Sequence, residues 1–187
     1  MTADSKTFGT FSEIEVRGDE YLELAFSPSS RPVNERWRNN GLSADFLADY
    51  FGTFIPAELP ESHHNQVKGA VAYIANELLE NAMKFSDCER GKGISLSLNL
   101  SESDLRFTLI NSISADRADS LETFLNEFTG MDASEFFVVQ MERNIETGSE
   151  SGLGFATMVT DHDAQLGWKI ERPGDCTTLT TQVVIEI

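Results

Sequence analysis

The chain is poor in cysteine, histidine and positive charge, and each shortage closes off a class of chemistry. Cys88 and Cys176 are its only cysteines. They lie far apart and match no metal or redox spacing, so two free thiols in a reducing compartment are expected. His63 and His64 sit together at a helix start, where exposed surface side chains are the ordinary reading. His162 is isolated in "TDHDAQ" and forms no metal cluster. Fourteen bases stand against 31 acids, a formal charge of −17. Such a surface repels nucleic-acid phosphates and anionic lipids, and it favours solubility or a basic partner. The apolar runs are too short to cross a bilayer, and "MTADSKTFGTFSE" lacks the basic start and apolar stretch of a secretory signal. A cytoplasmic protein with neither nucleic acid nor membrane as partner is expected. Repeats, low-complexity tracts and linkers are missing as well. The 187 residues then read as one folded unit, long enough to bury a core.

What is present alternates between strand and helix signals. "GTFSEIEVRGDEYLELAFSPSS" predicts two strands around Gly18-Asp19. "RPVNERWRNNG" predicts a short helix, and "SADFLADYFGTFI" a second with Ser43 as N-cap. A long helix is expected from Glu61 to about Ser86, capped by Ser62. "KGISLSLNLS" and "DLRFTLINS" alternate with period two around an acidic turn and predict a hairpin. Residues 115–145 read as two helical pieces broken at Gly130-Met131-Asp132. The small-residue loop "ETGSESGLG" leads into the helix "FATMVTDHDAQ", followed by "LGWKIER", the turn "PGD" and a last strand. The pattern predicts an α+β fold with helices on one face of a sheet. Trp37 and Trp168 are expected in the core. The basic stretch "SSRPVNERWRNN", with Arg31, Arg36 and Arg38, reads equally as partner contact or as solvated helix.

The long helix carries the first chemical signal, in "IANELLENAMKFS". At about 100° per residue, Asn81 falls about 40° from Glu77, and Lys84 about 20° to the other side. Val67, Val71, Ile74, Leu78 and Phe85 define the buried face beside this stripe. Asn76 and Glu80 fall further out, as solvated residues. A carboxylate, an amide oxygen and an ammonium along the core's edge can address a metal, a hydroxyl and a phosphate together. An ordinary helix boundary accounts for the same stripe.

A second signal lies downstream. In "GSESGLGF", glycines allow close backbone approach, and free amides at the following helix start suit an anion. "ELLENAMKFS", then a hairpin, then "SGLGFATMV" resembles, in that order, the GHKL superfamily of histidine-kinase-like ATPases over about residues 62–187. Glu77 four residues before Asn81 is more like the anti-sigma-factor serine kinases. The whole chain is similar to stand-alone bacterial signalling regulators that associate with STAS-type, anti-sigma-antagonist-like proteins.

The resemblance implies a Bergerat-type ATP-binding fold, a two-layer sandwich of a mixed sheet with helices on one face. Residues 62–187 would form the ATPase-like domain, and 1–61 an N-terminal segment packed on the same globular unit. ATP and Mg²⁺ are the implied cofactors, and phosphoryl transfer to a partner's serine the implied reaction. Asn81 would hold the metal, Glu77 would act as general base, and Lys84 would offset phosphate charge. Gly152, Leu153 and Gly154 would line the phosphates, the glycines through their backbone amides. A STAS-type partner is implied, and a homodimer is compatible with the pattern. The family's Asp-x-Gly-x-Gly box is replaced by "INSISAD". Asn111 stands for the aspartate that accepts the adenine amino group, and Ser112, Ile113 and Ser114 supply no glycine. Side chains are therefore expected where the base would lie. The other reading is a non-catalytic interaction module that keeps the fold around a degenerate nucleotide site.

Overall fold

The alternation in "ISLSLNL" and "DLRFTLINSI" builds the centre of a sheet. The computed structural model describes residues 4–13, 20–26, 33–86, 93–147, 152–173 and 176–187, without the side chains of 33–39 and 147. Its elements are β1 (Asp4–Gly9), β2 (Glu20–Phe26), α1 (Val33–Gly52), α2 (Glu61–Phe85), β3 (Ile94–Leu100) and β4 (Asp104–Ile113). They continue with α3 (Ala115–Thr129), α4 (Ala133–Thr147), α5 (Gly154–His162), β5 (Gln165–Arg172) and β6 (Thr177–Glu186). The expected Gly18-Asp19 turn, Arg31, Cys88 and the last two residues of the "PGD" turn lie outside the described residues. So do the side chains of Arg36, Trp37 and Arg38.

In the β3–β4 hairpin Leu96 stands opposite Leu109 and Leu98 opposite Phe107. All four are buried, because period-two alternation turns every second side chain to the helix layer. The strand order is β1-β5-β6-β4-β3-β2. The two-layer α+β sandwich is borne out, with one refinement. All the pairings are antiparallel, so the sheet is not mixed. The first strand also starts earlier than expected, and β1 and β2 occupy opposite edges. Their registers explain the separation: Phe8 finds Trp168, whereas Leu22 and Leu24 find Leu98 and Leu96.

The two short helices expected before Pro56 are one continuous α1 running through Gly41 and Ser43. Asn40, Ala44, Leu47, Ala48 and Phe51 are buried along one side. Packing of that side outweighs the roughly 1 kcal/mol that a mid-helix glycine costs. The α2 helix begins at Glu61 with Pro60, not Ser62, as its N-cap residue. Neither histidine beside it is fully exposed. The His64 ring Nε2 lies 3.0 Å from the Pro56 carbonyl oxygen, tying the turn to α2.

The α3 and α4 helices, broken where expected, pack as an aromatic cap. Phe128 meets Phe136 edge to face at 4.9 Å and Trp168 at 5.7 Å, and Phe155 meets Trp168 at 5.2 Å. Trp168 is in the core as expected. Ion pairs fasten α3 to the sheet edge: Lys6 reaches Glu122 at 2.7 Å, and Arg172 reaches Asp119 at 2.6 Å and Glu122 at 2.7 Å. The Lys6 hydrogen bond comes first, and the Arg172 charge adds to it, in holding the Glu122 carboxyl below its ordinary range. Cys176 is disulfide-bonded, which corrects the expectation of a free thiol there. Sequence spacing tests for local motifs and is blind to cysteines brought together by folding.

Candidate functional site

Two positions one turn apart on α2 face the start of α5. Glu77 lies against Gly154, the first residue of α5, with Leu153 as N-cap residue. A Cβ added to Gly154 would collide with Glu77 Oε2. Glycine here makes room for the mobile end of a carboxylate side chain and is not demanded by its own backbone angles. One turn earlier, Tyr73 shares a hydrogen bond with Thr157, and its ring centroid lies 5.2 Å from that of His162. Spacing of four residues on α2 thus meets spacing of three on α5. The two contacts set the glycine-bearing helix start beside the acidic stripe.

The Glu77 carboxyl is half-buried, and its pKa is raised, first by burial and then by the Glu80 charge. Burial opposes the charged form, so the group holds a proton more readily than an exposed glutamate. The Tyr73 hydroxyl is also pushed up, chiefly by burial, against the opposing Thr157 bond. Glu80 and Asn76 are not simply solvated. Both are half-buried, and Asn76 Nδ2 donates to Glu80 Oε1 at 2.9 Å.

Asn81 lies one turn beyond Glu77, half-buried, and its side-chain amide has no hydrogen bond among the described residues. Its oxygen is free to take an external ligand. Lys84 is placed differently: it is exposed in the last turn, with Nζ 5.2 Å from the Phe85 ring centroid. Phe85 itself is 40% exposed, not part of the core as its helical angle predicts. The helix ends there, at Ser86, and the Arg117 guanidinium approaches its ring at 5.7 Å.

Gly152 has φ +88°, the left-handed region in which glycine is least strained. A Cβ there would come within 3.2 Å of Gln140 on α4, so the cap borders the glycine loop. Asn111 is 2% exposed. Its Nδ2 donates to Ser86 Oγ at 3.0 Å, while its Oδ1 is buried without a partner. In place of a glycine turn, β4 continues through Ser112 and Ile113, both buried and paired with Thr178 and Thr177. The absence of glycine and the β-branched Ile113 favour that extension.

No family model matches the chain, and no curated protein does. Among solved structures it is similar to a chain in the SiaB–SiaC complex from Pseudomonas aeruginosa. The TM-score is 0.57 at 15% identity, over 88% of this chain and 89% of that one. The likeness is one of fold.

Glu77 and Gly154 therefore meet where α2 touches the start of α5, with Asn81 one turn further along α2 and Gly152 and Leu153 just before α5 in the chain. Asn111, on β4, lies at the far end of α2, bonded to the C-cap residue Ser86, and Lys84 is exposed. Tyr73, Ser86, Gln140 and Thr157 escape a reading of the sequence. Tyr73 alone had a signal, since it stands four residues before Glu77 on the same helical side. No helix among the described residues is long and apolar enough to cross a membrane.

Proposed function

We propose that the chain is a regulatory protein of the anti-sigma-factor serine kinase type. In this reading it binds Mg·ATP between α2 and the α5 start and acts on a STAS-type protein partner. What carries it is the packing of Glu77 on Gly154. A carboxylate with raised pKa stands beside a helix start whose amides favour anions. Asn81 offers an uncommitted amide oxygen one turn away, a donor suited to Mg²⁺ alongside phosphate oxygens. Mg²⁺ bound there would neutralise charge on the phosphates. Glu77 would take the proton from a partner's serine hydroxyl, a role favoured by a base whose pKa is raised towards neutrality. Gly152 and Gly154 would offer backbone amides to the phosphates. The Asn111 Oδ1 has no partner among the described residues while Nδ2 is engaged by Ser86, and it would accept a hydrogen bond from the adenine amino group.

Burial of Ser112 and Ile113 beside Asn111 favours a second reading, a non-catalytic interaction module whose base pocket is filled. Thermal unfolding with increasing Mg·ATP separates the two. The kinase reading expects a concentration-dependent rise in Tm, because a ligand that binds only the folded state stabilises it by mass action. Asn81→Ala removes that rise. Glu77→Gln keeps it but stops phosphate transfer to the partner. An unchanged Tm at millimolar nucleotide leaves the interaction module standing.

A further inference from the structure

Away from this site, α1 and the segment after it carry an exposed apolar ridge. Leu42 is 64% exposed, Phe46 50%, Phe54 38% and Leu59 37%. Tyr50 lies between Phe46 and Phe54, its ring centroid 6.1 Å and 5.5 Å from theirs. Steps of four residues keep Leu42, Phe46 and Tyr50 on one side of the helix. Ala44, Leu47, Ala48 and Phe51 occupy the buried side.

The ridge is held in shape. Thr53 Oγ1 donates to the Tyr50 carbonyl at 2.7 Å, and the Leu59 N–H donates to that of Pro56 at 3.1 Å. The His64 contact fixes the same turn. Rings already ordered before contact lose little freedom on association. Exposed aromatic rings in a row are also the residue type that dominates binding energy at interfaces.

Charge selects the occupant. Asp45 and Asp49 border the ridge on α1, and Glu58 and Glu61 flank Leu59; all are exposed. Lys68 offsets Asp49 at 2.6 Å. Among the described residues Asp45, Glu58 and Glu61 have no ion-pair partner. A second copy would bring the same acids, and a further formal charge of −17. The complementary surface is apolar along its middle and basic along its borders. We propose that the α1 ridge docks an amphipathic helix of a partner protein, apolar on one face and edged with lysine or arginine. This surface does not depend on nucleotide binding at Glu77.

A short helical peptide of leucine and lysine, with leucines at helical spacing, tests the proposal by fluorescence anisotropy against the full chain. Its counterpart with glutamate for lysine is the charge control. The leucine–lysine peptide is expected to bind and the leucine–glutamate peptide not. Phe46→Ser should weaken binding about tenfold or more, as loss of an interface anchor does. Asp45→Lys should weaken it too, whereas Ile145→Ser, on the exposed side of α4, should leave it unchanged. All three positions are exposed, so Tm should stay near that of the parent chain. Equal affinity for the parent chain and Phe46→Ser would overturn the proposal. So would binding of both peptides, or a parent dimer in sedimentation that Phe46→Ser converts to monomer.

Discussion

Gly154 and Phe155 are adjacent in the chain and belong to two unlike regions. Phe155 enters the aromatic cap, where rings from α3, α4, α5 and β5 interlock. Gly154 faces a polar junction with α2, where the Glu77 carboxylate lies against it. In the cap, contacts are numerous and apolar, and burial stabilises the fold. At the junction, a carboxylate is partly desolvated, at some cost to the fold, and the Asn81 amide next along α2 has no hydrogen bond among the described residues. The difference separates residues that hold this protein together from those of the proposed site. It also lets each region be broken without the other.

The largest expected effect is in the cap. Phe136→Ala removes a fully buried ring, and such truncations cost about 3–5 kcal/mol. In a chain of this size that lowers Tm by about 6–20 °C, readable by calorimetry. A smaller loss is expected from Glu122→Gln, which weakens the hold of Lys6 and Arg172 on α3. The folded Glu122 carboxyl lies below its unfolded value. Its stabilisation is therefore present above the unfolded pKa of about 4.3 and lost as pH falls through the folded value. The variant should melt about 1–3 °C lower at neutral pH, and the gap should close in acid.

At the junction the sign reverses. The Glu77 pKa is raised in the fold, so ionisation costs stability as pH rises from about 4.3 through the folded value. Glu77→Gln should raise Tm at neutral pH, by no more than about 1–2 °C, and have no effect below about pH 4. A fall in Tm at neutral pH would show the carboxylate to be structural. The smallest change in stability is expected from Gly154→Ala. Alanine favours the helix, and the atom it meets is the mobile end of Glu77. Unfolding should shift by less than about 1 kcal/mol. The same substitution must move Glu77, so any Mg·ATP-induced rise in Tm should disappear.

Much of the fold was legible because its periodicities are strong. Alternation in β3 and β4 and the long apolar stripe of α2 leave few other ways to bury those side chains. The break between α3 and α4 follows from Gly130 and from Asp132, whose Oδ1 accepts the Ser134 N–H at 2.9 Å. Local signals misled where packing outweighed them. Gly41 and Ser43 mark a helix boundary by propensity, yet α1 runs through both. Phe85 matches the buried face by angle, yet the helix ends before the sheet can cover it. For the site, Glu77, Asn81 and the glycines could be picked from the sequence as residue types. Nothing in their spacing showed that Gly154 is shaped by Glu77, or that Ser86 orients Asn111.

The sequence by itself determined the α+β class, the elements of the sheet's centre and the acidic surface. Those properties follow from local periodicity and composition, which act over a few residues. Tertiary structure alone decided that β1 and β2 lie at opposite edges, that Cys176 is bonded, and that Lys84 turns outward. It also decided that Tyr73 and Glu77 clamp the start of α5. These depend on contacts between residues far apart in the chain, where mutual shape and charge, not local preference, select the partner.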